Sequence, residues 1–322
     1  MQVIHGTTEF EVEGKCAVAI GKFDGIHLGH QELLCHILEQ KEQGRKAAVF
    51  TFDPPPAVLF GTAQDKELMT AEEKRAAFEK MGVDVLVEFP LNYETAAILP
   101  GDFIRGTLVK KMHAVYLAAG TDVTFGSRGT GNAALLRRLA GQCGYEVHVI
   151  DKVCYNGREV SSTGVRQAVE EGRMEEAACL LGAPYEIGGT VRHGNRFGRT
   201  IGMPTVNLIP SVKKLLPPKG VYYSEVCLEG RRMAGITNIG YKPTVSEAGQ
   251  MGVETYIYDF DREIYGAAIR VLLLGFKRPE QKFRGTDELK EQMVKDIEEG
   301  RQYHRLLQGR ADVCKAADKR KG

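Results

Sequence analysis

Between residues 15 and 150 the chain alternates short apolar runs with stretches in which apolar side chains recur every three or four positions. The runs at 15–20, 47–52, 85–89, 114–118 and 146–150 predict strands, and their mostly continuous apolar character marks a sheet covered on both faces. Residues 30–43 place Leu33, Leu34, Ile37 and Leu38 on one helical face. Thr70-Ala71-Glu72-Glu73 is a capping box that opens a helix ending near Gly82, residues 103–112 are helical, and a further helix follows Gly131. Strand and helix in alternation predict an α/β fold built on a doubly wound parallel sheet. Two short helices split by Glu171-Gly172-Arg173 fill residues 161–181 and close this half.

Beyond residue 184 the period changes. Residues 185–191, 220–228, 232–239, 253–260 and 264–274 predict strands joined by turns such as Glu229-Gly230 and Asp261-Arg262, the pattern of a small antiparallel β-barrel. A C-terminal helix from Thr286 to about Leu307 carries Leu289, Met293 and Ile297 on one stripe and packs against it. The expected domains are therefore 1–183 and 184–308, followed by a polar tail, 309–322, expected to be disordered. No repeat relates the halves.

The 322 residues carry 43 basic and 42 acidic side chains with 43% hydrophobic residues, which excludes a disordered, collagen-like or heavily charged scaffold. The near-neutral total conceals an asymmetry: residues 1–183 hold 19 basic and 25 acidic side chains, whereas 184–322 hold 24 and 17. A basic second half suits nucleic acid, phosphorylated ligands or a complementary neighbouring domain alike. The longest apolar stretch, 267–276, is broken by Arg270 and too short to span a bilayer, and no secretory leader is evident, so no membrane partner is expected. Seven scattered cysteines, at 16, 35, 143, 154, 179, 227 and 314, never fall as C-x-x-C. They predict reduced thiols in a cytoplasmic protein, with neither a zinc site nor a disulfide framework.

Chemistry gathers at the end of the first strand, where Gly21-Lys22-Phe23-Asp24-Gly25-Ile26-His27-Leu28-Gly29-His30 runs straight into a helix. The carboxyl edge of a parallel strand followed by a helix N-terminus is where α/β folds hold phosphates, since free backbone N–H groups and the helix dipole both face the anion. His27 and His30 share one face of the first turn, where imidazoles can donate to oxygens gaining charge in nucleotidyl transfer, and Gly29 leaves room for a nucleotide. A metal there is disfavoured for want of a third ligand at suitable spacing. In Ser161-Ser162-Thr163-Gly164-Val165-Arg166, hydroxyls at a helix start cap the helix or meet a phosphate, and Arg166 adds a fork of donors one turn later.

In the second half, residues 194–207 form a glycine-punctuated loop entering Pro204-Thr205-Val206-Asn207. Thr205 and Asn207, two residues apart and hence on one strand face, suit a hard Mg²⁺ shared with ATP phosphates, although glycine-rich loops are as often mere connectors. The predicted strand at 253–260 puts Glu254, Tyr256, Tyr258 and Phe260 on one face, either a surface glutamate beside exposed rings or a base in a flat ligand pocket.

The G-x-F-D-G-x-H-x-G-H and S-S-T-x-x-R runs, roughly 130 residues apart, resemble the nucleotidyltransferase module of bacterial bifunctional riboflavin kinase/FMN adenylyltransferases, also called FAD synthetases. Class I aminoacyl-tRNA synthetases share the first run in form, but their K-M-S-K-S partner and tRNA-binding domains are absent here. The family's flavin-side segment resembles residues 120–128. Its strand-2 loop resembles Thr51-Phe52-Asp53-Pro54-Pro55-Pro56, which departs from the usual Glu at 53 and His at 55. The riboflavin kinase module is resembled by Gly198-Arg199 through Asn207, Gly220-Val221-Tyr222, residues 238–244, Val253-Glu254-Thr255, Asp259-Phe260, Tyr265-Gly266, Arg278-Pro279-Glu280 and Lys282-Phe283, with mild departures at Ala183 and Val206. The similarity runs in order from about residue 15 to 300.

The resemblance implies two activities, riboflavin phosphorylation by the C-terminal module and adenylylation of FMN by the N-terminal one. It makes His27 and His30 catalytic in the second reaction, with Gly21, Phe23, Asp24, Gly29, Ser162, Thr163 and Arg166 around ATP and Asp122, Phe125 and Arg128 on the flavin side. Glu254 is the expected kinase base; Gly198, Arg199, Gly202, Thr205 and Asn207 are expected to bind ATP, the last two also Mg²⁺. The implied partners are riboflavin, FMN and ATP, with no nucleic acid, and homo-oligomerisation is left open. The competing expectation is a flavin-binding regulatory paralogue with one or both modules inactive. The absence of an RNA-binding signature with aromatic platforms and the intact phosphate-handling residues oppose it.

Overall fold

The computed structural model describes residues 1–61, 66–194, 198, 202–241 and 251–318, the last nine as backbone. The chain divides into two compact units, Met1–Val165 and Arg166–Gly322.

The first unit is a six-stranded, wholly parallel sheet. Its elements are β1 (Gln2–His5), β2 (Cys16–Ile20), α1 (Leu28–Glu39), β3 (Lys46–Asp53), α2 (Ala71–Met81), β4 (Val85–Pro90), α3 (Phe103–Lys111), β5 (Ala114–Gly120), α4 (Ala133–Cys143) and β6 (Glu146–Ile150). A two-stranded hairpin, β7 (Cys154–Tyr155) and β8 (Arg158–Glu159), precedes α5 (Ser162–Glu170), which opens in this unit and ends in the next. The strand order is β1-β4-β3-β2-β5-β6, so the winding reverses at β2, between β3 and β5. Where an α/β sheet reverses, a crevice opens beyond the carboxyl ends of the two diverging strands. All five residues of β2 are buried, as the unbroken apolar run requires of a strand covered on both faces.

Some elements differ from expectation for identifiable reasons. The sequence pattern does not predict β1, four residues with one buried side chain. The helix expected at 30–43 starts at Leu28 and passes at Gln40 into a short 3₁₀ turn. The stretch at 103–112 is a π-helix, closed where Met112 N–H donates to the carbonyl of Thr107, five residues back.

The second unit holds α6 (Met174–Leu181) and an antiparallel sheet of β9 (Tyr185–Thr190), β10 (Val206–Leu208), β11 (Gly220–Leu228), β12 (Arg231–Tyr241), β13 (Met251–Ile257) and β14 (Ala268–Pro279). The order is β10-β13-β12-β11-β14-β9. Arg192, just past β9, donates its backbone N–H to the carbonyl of Asn207 in β10 (2.9 Å), which draws the two ends of the order together as a barrel requires. The strand expected at 253–260 ends at Ile257 because Asp259 takes a positive φ of 54°. The strand expected from 264 begins at Ala268, after a turn in which Ala267 donates to Ile264.

The final helix, α7 (Thr286–Asp318), runs past Leu307 into the tail expected to be disordered; residues 308–318 contain only Gly309 as a helix breaker, and their alanines and charged side chains favour continuation. Residues 319–322 lie outside the described residues. Gly300 of α7 stands directly against the phenol oxygen of Tyr258, which is buried without a hydrogen-bond partner among the described residues. One turn on, His304 of α7 meets the carbonyl of Gly235 in β12 at 3.3 Å.

Candidate active sites

In the first unit a cavity of about 300 Å³ opens at the switch point, lined from β2 by Ile20, Gly21 and Lys22, and from β5 by Gly120, Asp122 and Val123. Two helix N-termini reach it: His27, Gly29 and His30 come from the start of α1, and Ser161, Ser162 and Thr163 from the start of α5. Unpaired N–H groups and the positive ends of two helix dipoles therefore converge on one crevice.

His27 is the N-cap of α1. Its Nδ1 accepts the His30 N–H (3.4 Å), so the neutral ring carries its proton on Nε2, as a donor. Burial lowers the His27 pKa to about 4, partly opposed by Asp24 and Asp122, and burial together with His27 and Lys74 holds His30 well below the usual histidine range. Both imidazoles are neutral at pH 7. Their rings stack with centroids 3.8 Å apart, and His30 Nδ1 is buried with no partner among the described residues. Gly29 is needed for this pair, because a Cβ there would lie 3.3 Å from the His27 ring.

The remaining motif residues divide. Phe23 is fully buried at a positive φ of 50°, its ring behind His30 (4.9 Å) and against Phe78 (5.5 Å), so it backs the site without lining it. Asp24 takes the Leu68 N–H on Oδ1 (2.9 Å) and the Ser162 hydroxyl on its carbonyl (2.8 Å). The Ser162 proton is thus committed to tying α5 to the motif loop, which leaves its backbone N–H rather than its hydroxyl as a donor to the crevice. Asp122 and Thr163 line the cavity; Phe125 does not. Phe125 lies in the core against Phe103 (5.4 Å), and Arg128 sits on a turn at a positive φ of 55°. Arg166, one turn into α5, is likewise absent from the lining. Sequence reading passes over Lys22 and Lys152, which do line it; Lys152 is paired with Glu159 (2.7 Å). The departing loop residue Asp53 lies 3.5 Å from His5, and His5 meets the buried Glu88 at 3.0 Å.

In the second unit a cavity of about 250 Å³ is lined by Gly198, Thr205, Asn207 and Glu254, as expected, and by residues of β11, β12, β14 and α7. Register explains the grouping. Asn207 pairs with Glu254, Glu254 with Asn238, Asn238 with Val221 and Val221 with Arg278, a single row across five strands. Directly opposed residues share a face, and all five line the cavity. Asn238 and Arg278 fall in segments that carry the family resemblance but have no site role assigned there, because only strand pairing brings them into one row with Glu254. Asn207 Nδ2 donates to the Thr205 hydroxyl oxygen (3.4 Å), which ties the two side chains together at one end of the row. A Cβ at Gly194 would lie 2.6 Å from the Asn207 carboxamide, so any larger residue there displaces that side chain. Gly202 lies outside the lining, and Arg199 outside the described residues. Tyr256 lines the cavity, whereas Tyr258 turns towards α7.

Comparison with known proteins agrees with this division. The family model of FAD synthetase matches residues 9–164 and that of riboflavin kinase residues 181–304. A bifunctional riboflavin kinase/FMN adenylyltransferase of Listeria monocytogenes is 36% identical over 94% of this chain and 96% of its own; that of Escherichia coli K12 is 36% identical over 94% and 97%. A solved structure described as a macrolide-efflux protein from Streptococcus pneumoniae superposes with a TM-score of 0.82 at 30% identity, covering 93% of this chain and 98% of that one. No helix among the described residues is long and apolar enough to cross a membrane. With near-complete coverage by such relatives, and a matching module over each of its two units, the chain belongs to the bifunctional riboflavin kinase/FMN adenylyltransferase family.

Proposed function

We propose that the second unit phosphorylates riboflavin with ATP and the first adenylylates the resulting FMN, and that the residues assembled above carry the two reactions. The observation that supports this most directly is that residues of each motif set line one cavity of their own unit, His27, His30, Ser162 and Thr163 in the first and Thr205, Asn207 and Glu254 in the second. The switch-point crevice gathers neutral donors and helix N-termini, while the cross-sheet row sets a carboxylate next to hard oxygens.

In the kinase half the ribityl hydroxyl is a poor nucleophile at neutral pH. Glu254 takes its proton as the γ-phosphoryl group transfers, and Asn207, next to it in the row, holds the ATP side. The Thr205 hydroxyl and the Asn207 carboxamide oxygen would offer Mg²⁺ two neutral ligands from side chains that already touch, and among the described residues no cluster of three acidic, His or Cys side chains offers an alternative. When bound with ATP, Mg²⁺ would offset phosphate charge.

In the adenylyl half the attacking FMN phosphate is already anionic and needs no base. An FMN phosphate oxygen bonds to the α-phosphorus of ATP as the bond to the β-phosphate bridge breaks, and pyrophosphate leaves. His27 Nε2–H and the N-terminal amides of α1 and α5 donate to the oxygens that gain charge. The test is a time course with riboflavin, ATP and Mg²⁺, separating flavins by chromatography. FMN rising and then yielding to FAD is the expected result; absence of turnover would return the regulatory paralogue to the front.

A further inference from the structure

Asp296 of α7 is, with Glu88, one of two buried acids among the described residues, and nothing in the proposed chemistry uses it. Its side chain is 5% exposed, yet it lines the kinase cavity. Both oxygens are engaged by protein donors. Arg278 Nε reaches each at 3.1 Å and Arg278 Nη2 reaches Oδ2 at 2.6 Å, while Gln292 Nε2 (3.0 Å) and Lys277 Nζ (3.3 Å) approach Oδ1. Such a fork fixes a guanidinium in one plane as a single ammonium contact cannot.

Position gives the pair its meaning. Arg278 ends the row Asn207, Glu254, Asn238, Val221, Arg278. The ATP side, with Gly198 and Thr205, is at the Asn207 end. A molecule whose hydroxyl meets Glu254 therefore extends towards Arg278, three strand spacings or about 14 Å away, a distance that a polyol chain and fused rings can cover. The same cavity is lined by the apolar side chains of Val221, Ile236, Leu289, Met293 and Ile297. The last three stand on α7 on the same side as Asp296, so the ion pair that orients Arg278 also seats the helix wall.

Resting on the kinase reading above, we propose that Asp296 is a positioning residue for the flavin substrate. It meets no ligand itself, but holds Arg278 at the end of the row and seats the α7 stripe against which the flavin ring packs. A buried pair of this kind is weak as a source of stability, and breaking it on one side leaves the other charge stranded. The expected signature is a selective defect in flavin binding.

The experiment uses the full chain with Asp296→Asn, Arg278→Gln and the double variant, and measures riboflavin affinity by quenching of flavin fluorescence together with KM for riboflavin and for ATP. Asp296→Asn should weaken riboflavin about 10- to 100-fold and leave KM for ATP within about 2-fold, and the double variant should be little worse than either single one. Asp296→Glu, which retains the charge, should restore part of the loss. A cooperative thermal unfolding transition of the second unit reports that each variant is folded; where Asp296→Asn is not, Arg278→Lys keeps the charge, loses the fork and should show the same split. Riboflavin affinity unchanged, or riboflavin and ATP weakened equally, overturns the role of Asp296. A wild-type chain that binds riboflavin without phosphorylating it overturns the kinase reading instead, and one that binds none overturns both.

Discussion

The imidazoles of His27 and His30 stack face to face, centroids 3.8 Å apart and planes 18° apart, and the first caps the helix that carries the second. A proton on either ring would meet burial on one side and its neighbour on the other. The pair is therefore built to work uncharged, as donors whose state does not change around neutrality.

That arrangement predicts a pH dependence of stability. In the unfolded chain His27 titrates at its ordinary value, 6.5, and in the folded chain at about 4, so between these values the unfolded state binds more protons. Stability of the first unit should be fully present above pH 6.5 and fall as the pH drops towards 4, by on the order of 3 kcal/mol from this residue. Urea unfolding against pH, for wild type and His27→Gln, checks it; an equally steep fall in the variant would assign the effect elsewhere.

Replacing His27 or His30 by Ala should cost FAD formation about 10²-fold or more, the scale of losing a donor to transition-state charge. FMN formation from riboflavin should persist, since neither residue lines the cavity of the second unit. Loss of both activities in a folded variant would contradict the division of labour.

Ser162 gives its hydroxyl proton to the Asp24 carbonyl at 2.8 Å. Ser162→Ala should accordingly lower stability by about 1 kcal/mol, the net worth of one hydrogen bond, and change KM for ATP little. A large rise in KM with unchanged stability would restore the hydroxyl as a phosphate ligand.

Glu254→Gln should slow riboflavin phosphorylation by about 10²- to 10⁴-fold while FMN supplied from outside is still adenylylated. Steady-state assays of each half-reaction decide this, and an unchanged kinase rate would remove Glu254 from the role of base.

Two glycines of one loop should behave differently. Gly194→Ala drives a methyl group into the Asn207 carboxamide and should raise KM for ATP in the kinase reaction. Gly202→Ala meets open space at a φ of 79° and should cost roughly 1 kcal/mol of stability with kinetics unaltered. Equal effects on KM would show that Asn207 is not the target.

What could be read from the chain follows from how local each feature is. Parallel strands such as Cys16–Ile20 announce themselves because every residue is apolar, and the capping box at Thr70 and Glu73 is complete within four residues. β10 has only three residues and β1 only one buried side chain, so neither generates a period. Motif membership also says nothing of direction: Phe23 and Phe125 lie within the recognised segments but turn into the core. Asn238, Arg278 and Asp296 come to line one cavity with Glu254 only through strand register and a helix returning across the sheet.

Gly300 acts as an index mark on α7. Only at a residue without a side chain can the helix cross the Tyr258 phenol, so sliding α7 by one turn in either direction would bring Asp296 or His304 against that ring instead. Leu289 lies eleven residues upstream, about 16 Å along the axis, and a rigid helix transmits the setting without loss. The width of the kinase cavity is thereby gauged from a contact outside it. Length changes in α7 between 289 and 300 should rotate the cavity wall out of phase, while changes beyond residue 304 leave it in register.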